Sequence, residues 1–448
     1  MKEIIVPEKA KTLLNALHNE GHEAYVVGGF VRDRIIEKST SDVDITTSAT
    51  PNEVKTVLSH NNIKCFETGI KHGTVTANFK NENFEITTYR TDGEYKDNRH
   101  PENVQFVKSL EEDLKRRDFT INALAYNDEA GLVDPFGGID DINNKIIRCV
   151  GDPDKRFNED ALRIIRALRF SSVLNFSVEE ATKNSIHKNK ELLNNVASER
   201  IFQELLKLLD GENVLNVLSE YSDVIAVIIP EFKATFTCEQ NSEWHVFNVY
   251  DHIINSVAEA PPEGVLRLTM LFHDIGKPLV KKTDPDGTDH FYTHAKVSAK
   301  MAEEILRRFN ASNKIISRVT LLISKHQKLN DVDKINVNRW ITKIGANETK
   351  DLFKVRIADL KAHNPEKVGH EIEKLTEYLI EFDEILSEAP ALSRKDLAIG
   401  GKTLKKLGFS GEIIGVILNE VLENVVDGKL DNTKEDIIQY VNSKEWAL

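Results

Sequence analysis

The sequence has few of the residues that mark secreted, metal-knuckle or membrane proteins. Its 448 residues include only three cysteines, Cys65, Cys149 and Cys238, which lie far apart. We therefore expect neither a disulfide framework nor a CxxC metal site. No apolar run approaches the length of a membrane span, and residues 1–21 have the pattern of an amphipathic helix rather than a signal peptide. These absences predict a protein of the reducing cytoplasm with no membrane partner.

The chain also has an excess of negative charge. The 59 Lys and Arg residues against 72 Asp and Glu give a net charge of −13, which argues against a protein that coats nucleic acid over its whole surface. A basic groove on one domain is compatible with this balance, because local charge decides phosphate binding. The length predicts about two to four domains, and nothing in the sequence specifies an oligomeric state.

Strand patterns are concentrated near the N-terminus. The segments EAYVVGG (23–29), GTVTANF (73–79) and NFEITTYR (83–90) are short, β-branched and bounded by turn residues, as strands usually are. From Asp141 onward only IIRCV (146–150) keeps a strand pattern, and apolar residues recur at helical spacing. The pattern predicts an α/β head followed by a long all-helical body.

The stretch VVGGFVRDRIIEKSTSDVDITTS (26–48) combines a glycine pair, an arginine and two aspartates. If its end is a strand, Asp42 and Asp44 point to the same face. Two carboxylates so close repel each other unless a cation lies between them, and oxygen ligands with no histidine or cysteine nearby suit Mg²⁺. Gly28 and Gly29 would let the backbone approach phosphates, and Arg32 could bind a phosphate with two nitrogens. The stretch predicts a metal and triphosphate site; the alternative is a solvated surface strand after a turn.

Two further segments carry candidate binding residues. Glu85 in NFEITTYR is a candidate third carboxylate from a neighbouring strand. In RRDFTINALAYN (116–127), Arg117 could bind phosphate, and Asp118 and Asn122, one helical turn apart, could bind ribose hydroxyls. The alternatives are an ordinary exposed glutamate and a capped helix start with solvated arginines.

The segment FNEDALRIIRALRFSS (157–172) predicts an amphipathic helix with Asn158 as its N-cap. One half of this helix carries four charged residues, Asp160, Arg163, Arg166 and Arg169. Asp160 and Arg163 could read the edge of a base, and three arginines on one face repel each other without an anion. The alternative is a plain amphipathic helix with an i,i+3 ion pair.

Five motifs, in this order and approximate spacing, resemble the class II tRNA nucleotidyltransferases, which comprise CCA-adding enzymes and bacterial poly(A) polymerases. They are GGFVRD with DVD, RRDFTINAL, DPFGG (134–138), EDALRIIRALRF (159–170) and SERIFQEL (198–205). The resemblance implies that Asp42 and Asp44 bind catalytic Mg²⁺ and that Asp118 and Asn122 lie near the ribose. It also implies an amino-acid template for the base, Asp160 and Arg163, and further nucleotide-binding residues, which are Gly29, Arg32, Arg117, Arg166 and Arg169.

The resemblance further implies the fold, the substrates and the domain order. We expect a polymerase-β-like mixed sheet with helices in a head (1–140), followed by an all-α neck (141–210), body (211–335) and tRNA-binding tail (336–448). The substrates would be tRNA, CTP and ATP. FETGIKHGTVTANF (66–79) lacks the basic aromatic segment of the poly(A) polymerases, and DGEYKDNRHPENVQF (92–106) is similar to a flexible loop that CC-only enzymes lack. Complete CCA addition is therefore favoured, with an A-adding specialist or a poly(A) polymerase as alternatives.

A second constellation lies in the predicted body. HVFNVYDHII (245–254), LFHDIGKP (271–278), HFYTHAKVSAKMA (290–302) and SKHQ (324–327) supply histidines and a His-Asp pair, which could hold a divalent metal. The segment resembles HD-type phosphohydrolase domains, which implies a set of ligands, His252, His273, Asp274 and His294, with His326 as an addition.

Gln327 stands where such domains usually have an acidic residue near the last histidine. The segment therefore predicts either an active phosphohydrolase with a second divalent metal or a structural remnant of one. A protein whose main activity is this hydrolysis, with a head that only senses nucleotides, is the alternative from another class.

Overall fold

The computed structural model describes residues 4–93, 104–327, 329 and 333–446. The chain forms two compact units, Met1–Pro230 and Glu231–Leu448. Within the described ranges, no helix is both long and apolar enough to cross a membrane. The boundaries expected for head, neck, body and tail stay predictions.

Short strands occur mainly in the first unit. They are β1 (Ala24–Val27), β2 (Asp44–Thr47), β3 (Lys64–Gly69), β4 (Thr74–Phe79), β5 (Glu82–Thr88), β6 (Arg90–Asp92), β7 (Val104–Phe106), β8 (Ala125–Asn127), β9 (Gly131–Val133), β10 (Ile146–Ile147), β11 (Ser177–Val178), β12 (Lys282–Thr283) and β13 (Asp289–His290). Seven of them form one sheet in the order β3-β4-β5-β2-β1-β8-β9. Only β2 and β5 pair in parallel in this sheet, so the mixed sheet predicted from the sequence is confirmed, with the three predicted strands as β1, β4 and β5.

Helices cover the sheet and continue beyond it. In the first unit they are α1 (Glu8–Asn19), α2 (Gly29–Ile35), α3 (Pro51–His60), α4 (Leu110–Lys115), α5 (Gly138–Asn143), α6 (Pro153–Glu159), α7 (Leu162–Leu174), α8 (Glu180–Asn189), α9 (Ser198–Leu209), α10 (Val214–Glu220) and α11 (Ser222–Ile228). The N-terminal helix α1 buries Ala10, Leu13 and Leu17 on one face, which is the amphipathic pattern expected there.

The second unit is almost entirely helical, as the sequence predicted. Its helices are α12 (Val249–Glu259), α13 (Gly264–Phe272), α14 (Lys277–Val280), α15 (His294–Arg308), α16 (Asn313–Lys325), α17 (Lys334–Ile344), α18 (Ala346–Lys361), α19 (Pro365–Ile380), α20 (Phe382–Glu388), α21 (Gly401–Lys406), α22 (Ile413–Val426) and α23 (Lys434–Asn442). Its strands are the two-residue pair β12 and β13.

The helix predicted to begin at Asn158 begins elsewhere, so that prediction was wrong. Asp152 caps α6 by accepting hydrogen bonds from the backbone N–H groups of residues 154 and 155, and Pro153 follows at the first helical position. This pair is a stronger start signal than Asn158, which lies inside α6. Asp160 is extended (φ −138°, ψ 102°) and separates α6 from α7.

The segment RRDFTINAL is not an α-helix either. Helix α4 ends at Lys115, and residues 118–120 instead pair with the segment that contains Cys149. The N–H of Thr120 donates to the carbonyl of Arg148 at 2.9 Å, and that of Val150 to the carbonyl of Asp118 at 3.1 Å. Because these backbone groups are used between distant segments, only one 3₁₀ turn, Thr120–Asn122, forms before β8.

Candidate functional site

The three predicted catalytic carboxylates lie where the central strand β2 begins beside β5, a place called the carboxylate edge below. Asp44 is the first residue of β2, and its register partners are Val27 on one side and Glu85 on the other. The strand begins at Asp44 rather than before Asp42, but Val43 between them is only 5% exposed, and Asp42 and Asp44 are both exposed. The alternation expected from the sequence therefore brings both carboxylates to the open side, beside Glu85.

The electrostatics of this edge favour a bound cation. The pKa of Asp44 is raised to about 6, first because the surrounding protein removes part of its hydration and second because Asp42 is negative; Arg117 opposes the shift and Glu85 adds to it. A divalent ion would relieve the repulsion between these groups, and hard carboxylate oxygens are the ligands that Mg²⁺ prefers. The residues present thus fit the metal that the sequence implied.

The glycine pair follows β1 directly and faces Arg117. Gly28 has φ +72°, a conformation that side chains rarely adopt, and a Cβ there would lie 3.1 Å from Nη1 of Arg117. Arg117 donates to Asp113 at 3.4 Å, and its Nε is buried with no hydrogen-bond partner among the described residues. The guanidinium therefore lies against the glycine turn, and its positive charge acts on Asp44.

Asp113, which we did not predict from the sequence, holds the arginine pair Arg116 and Arg117. It is fully buried and accepts hydrogen bonds from Arg116 at 2.9 and 2.8 Å and from Thr46 at 3.2 Å. Although burial opposes it, Arg116 and Arg117 lower the pKa of Asp113. This carboxylate fixes the arginine pair, and its spacing of three and four residues before them was the available signal.

Four of the predicted nucleotide-binding residues form one hydrogen-bonded chain. Arg32 donates to Asn122 at 2.5 Å, and Asn122 donates to Asp118 at 3.1 Å. Arg166 donates twice to the other oxygen of Asp118, at 2.9 and 2.6 Å. Although burial opposes it, Arg166 holds the pKa of Asp118 well below its usual value. This hydrogen-bonded chain joins helix α2, which follows β1, to helix α7.

Glu204 of α9 partly neutralises the positive charge of Arg166 and Arg169. The sequence did not indicate this role. It lies 3.2 Å from Arg169 and 3.7 Å from Arg166 and is 6% exposed. Burial and the charge of Arg166 still lower the pKa of Arg169 to about 10. The protein itself thus supplies part of the negative charge that the arginine face requires.

The pair predicted to read a base has other partners than expected. Arg163 is 8% exposed; it donates to Glu159 at 3.0 Å and to the carbonyl of Arg116 at 2.9 Å. Asp160 lies 3.4 Å from Arg200. The i,i+3 pair of Asp160 with Arg163 is therefore replaced by an i,i+4 pair of Glu159 with Arg163 across the break between α6 and α7.

The second unit brings the predicted histidines together. His252 Nε2 lies 3.2 Å from His273 Nε2, and His294 Nε2 lies 3.4 Å from His326 Nε2. Asp274 lies between the two pairs, with one oxygen 3.3 Å from His252 and His273 and the other 3.1 Å from His294. All five residues are buried.

Position 327, where HD-type domains usually have an acidic residue, holds Gln. The acidic residue that lies beside these histidines is Asp359, which belongs to helix α18. Asp359 Oδ1 lies 3.1 Å from His252 Nε2 and 3.5 Å from His273 Nε2. A carboxylate therefore lies beside these histidines although position 327 is Gln, and it comes from beyond residue 335, where the predicted body ends. The sequence signal for Asp359 was a charged residue between two apolar residues, Ala358 and Leu360, which are buried in the structure.

Comparisons with known proteins cover most of the chain. The family model of the poly A polymerase head domain matches residues 24–148, that of the RNA and SrmB binding site of polymerase A matches 175–235, and that of tRNA nucleotidyltransferase domain 2 matches 289–441.

Full-length relatives agree with these matches. The CCA-adding enzyme of Ligilactobacillus salivarius is 36% identical over 96% of this chain and 95% of its own, and that of Bacillus velezensis is 35% identical over 98% and 97%. The crystal structure of the Bacillus stearothermophilus CCA-adding enzyme in complex with CTP superposes with a TM-score of 0.71 at 29% identity, covering 99% of this chain and 98% of that one. The chain belongs to the family of CCA-adding enzymes.

Proposed function

We propose that the protein adds CCA to the 3′ ends of tRNA, using CTP and ATP. The observation that carries the proposal is the carboxylate edge formed by Asp42, Asp44 and Glu85 in a chain that is similar to CCA-adding enzymes over nearly its whole length. An A-adding specialist or a poly(A) polymerase would share the edge, but the named relatives are CCA-adding enzymes. The free cysteines support a reducing, cytoplasmic setting.

The carboxylates would act by position and charge. Asp42 and Asp44 would hold the divalent ions, Mg²⁺ by the preference of their oxygens, and Glu85 would add negative charge beside them. Bound there, such ions supply activation of the tRNA 3′-hydroxyl and neutralisation of the triphosphate and of the leaving pyrophosphate. Asp44, with its pKa raised to about 6, is ionised at neutral pH and so remains a ligand.

The incoming nucleotide would lie between the glycine turn and helix α7. Gly28 and Gly29 would leave room for phosphate oxygens, Arg117 would present its guanidinium beside Gly28, and Arg32 would add a second guanidinium. Asp118 and Asn122 would face the ribose, and Arg166 and Arg169 would reinforce the positive field. Asp160 and Arg163 would select the base, with Arg163 oriented by Glu159 and the backbone of Arg116.

The test is nucleotide addition to tRNA that ends before CCA, in C, or in CC, with CTP, ATP or both. We expect the parent to complete all three substrates. Asp42→Asn and Asp44→Asn should each lower the addition rate by at least about 10²-fold while tRNA binding stays near the parental value. Glu82→Gln, an exposed change on the same strand as Glu85, is the matched control. Addition at near-parental rates by either aspartate variant would remove the proposed metal site, and addition of A only would assign the A-adding alternative.

A further inference from the structure

The ring of Phe170, in helix α7, lies among three arginines. The guanidinium carbon of Arg169 is 4.0 Å from the ring centroid, and those of Arg32 and Arg166 are 5.0 and 5.4 Å from it. Phe170 is 6% exposed, and Phe119 packs against it edge to face, with ring centroids 5.7 Å apart and planes at 80°. The face of an aromatic ring attracts cations because its π electrons make that face negative. The buried ring therefore draws three like charges together.

Arg169 depends on this ring more than the other two arginines do. Each of the other two lies within 2.7 Å of a carboxylate, whereas Arg169 lies 3.2 Å from Glu204 and shares that carboxylate with Arg166. Its guanidinium is also the closest of the three to the ring. Because the ring carries no net charge, it holds the Arg169 guanidinium in place without cancelling its positive charge.

A cavity of about 320 Å³ lies beside this ring and is lined by residues of α2, α7 and α9 and of the segments that follow α2 and α9. Its charged lining consists of four cationic side chains and two carboxylates, which are Arg32, Lys38, Arg169 and Lys207, and Asp33 and Asp210. Phe170, Val173 and Leu174 form an apolar wall, beside which water screens charges less. This excess of positive charge, in a chain whose net charge is −13, suits a compact anion with several negative charges.

We propose that this cavity binds a pyrophosphate-type anion and that Phe170 is the positioning residue that presents Arg169 to it. A guanidinium can bind phosphate oxygens with two nitrogens at once. Lys38 and Lys207, which are exposed, would add point charges. Among the described residues, Arg117 and the carboxylates of the edge are not part of the cavity lining, so this anion site adds to the one proposed at the glycine turn.

The source of the anion rests on the proposed function. Addition of a nucleotide releases pyrophosphate, and each incoming nucleotide carries the same phosphoanhydride chemistry in its two terminal phosphates. The cavity would hold either the released pyrophosphate or the terminal phosphates of a bound nucleotide. In both cases the ligand is a compact phosphoanhydride, which matches the charge of the cavity lining.

Binding of inorganic pyrophosphate tests the cavity without reference to nucleotide addition. The full-length protein is titrated with pyrophosphate by isothermal titration calorimetry in a chelating buffer, so that metal ions cannot recruit the anion to the carboxylate edge. We expect Lys38→Ala and Lys207→Ala each to raise Kd about 5-fold, since each removes a positive charge near the anion. Lys64→Ala, a change at an exposed position of β3, is the control. Equal Kd values for the cavity variants and the control would overturn the cavity as the site.

Ring fluorination tests the role of Phe170 while keeping the size of the side chain nearly constant. Phenylalanines with one, two or three ring fluorines at position 170 lose electron density from the ring face in steps, which weakens the attraction for cations. We expect Kd for pyrophosphate to rise with each fluorine, by about 10-fold in total. The same analogues at Phe232, whose ring packs against Tyr250 and Phe272, should leave it unchanged. A Kd that does not respond to fluorination at position 170 in the folded protein would overturn the positioning role.

Competition with CTP identifies the source of the anion. Pyrophosphate that binds with an unchanged Kd in saturating CTP would assign the cavity to the released product, and displacement by CTP would assign it to the terminal phosphates of the nucleotide. The same preparations are assayed for nucleotide addition to tRNA. Lysine-dependent pyrophosphate binding without addition would contradict the proposed function and support the cavity site, whereas addition without such binding would overturn the cavity site and support the function.

Discussion

At the scale of single residues, Arg117 is the guanidinium most directly placed to meet a triphosphate. Its Nη1 lies beside Gly28, and among the described residues its side chain donates to Asp113, at 3.4 Å. We expect Arg117→Lys to lower kcat/KM for CTP about 10-fold, because a lysine keeps the charge but loses the planar pair of donors. Arg148→Lys, a partly exposed pair with Glu179, is the control. Equal steady-state kinetics for the two variants would show that Arg117 has only a structural role.

Base selection depends on residues that the break between α6 and α7 holds in place. We expect Asp160→Ala and Arg163→Ala to raise the incorporation of GMP and UMP relative to CMP and AMP about 10-fold, since each removes hydrogen-bonding groups suited to a base edge. Triphosphate affinity should change less than this ratio. Competition assays with mixed nucleotides give the measurement, and Lys155→Ala, exposed on α6, is the control. If both variants exclude GTP and UTP as well as the parent does, the template lies in other residues.

The candidate site residues that could be predicted from the sequence depend on local properties, whereas those that could not depend on contacts between distant segments. Asp42, Asp44 and the glycine turn were predictable because strand alternation and a positive φ are local properties. Asp113, Glu204 and Asp359 were not, because each is defined by partners that the fold brings from other elements. An Asp or Glu within an apolar sequence pattern indicates that a buried carboxylate has a cationic or hydrogen-bonding partner. The pattern does not identify that partner.

At the scale of elements, the hydrogen-bonded chain through Asp118 ties helix α7 to the sheet. The pKa of Asp118 is held well below its ordinary value of 3.8, so its contribution to stability is complete above that value and is lost as the pH falls toward the folded pKa. We expect Asp118→Asn to lower the free energy of unfolding by about 3 kcal/mol at pH 7, because it takes the nearer of two anions from the partly buried Arg166 and leaves only Glu204, at 3.7 Å.

The difference in unfolding free energy between the parent and Asp118→Asn should be smaller in acid. At low pH the Asp118 carboxylate takes up a proton in the unfolded parent but not in the folded parent. Urea unfolding of both proteins at pH 7 and at pH 3 measures this difference in free energy. Asp140→Asn, a change at an exposed position of α5, is the control. A difference that is the same at both pH values would contradict the role of the Asp118 charge.

Element types were more predictable than element boundaries. The three N-terminal strands and the helical second unit follow from periodicity, whereas the start of α6 at Asp152–Pro153 and the 3₁₀ turn at residues 120–122 do not. In the second case the backbone of residues 118–120 pairs with residues 148–150. That long-range pairing overrides a helical pattern that the local sequence favours.

At the scale of the whole molecule, the two constellations belong to different compact units. The carboxylate edge lies in Met1–Pro230 and the histidine cluster in Glu231–Leu448. We expect the double change His273→Ala with Asp274→Ala to keep nucleotide addition within about 2-fold of the parent while abolishing metal retention at the cluster. Addition assays and metal analysis on the same preparation measure both. Loss of addition in a folded double variant would show that the two units share one site.

The segment between β6 and β7 bears on how one pocket adds C twice and then A. Residues 94–103, which include most of the loop that resembles the flexible loop of CCA-adding enzymes, lie outside the described residues. The flanking strands pair with each other, Arg90 with Phe106 and residue 92 with Val104, so a shorter connection can keep this ladder. Asp160 and Arg163 are fixed in sequence, and a loop that resets their geometry would be needed only for the third addition.

Replacing residues 93–100 with a short Gly-Ser linker should therefore preserve CC addition and slow the terminal A by about 10²-fold, because small displacements of a bound nucleotide cost rates of that order. A Gly-Ser segment of the original length separates the effect of loop chemistry from that of length. Single-turnover rates on tRNA ending before CCA and in CC measure the two steps separately. Terminal A addition at the parental rate by the shortened enzyme would mean that the segment only connects β6 to β7 and that the switch in nucleotide choice is set within the pocket itself.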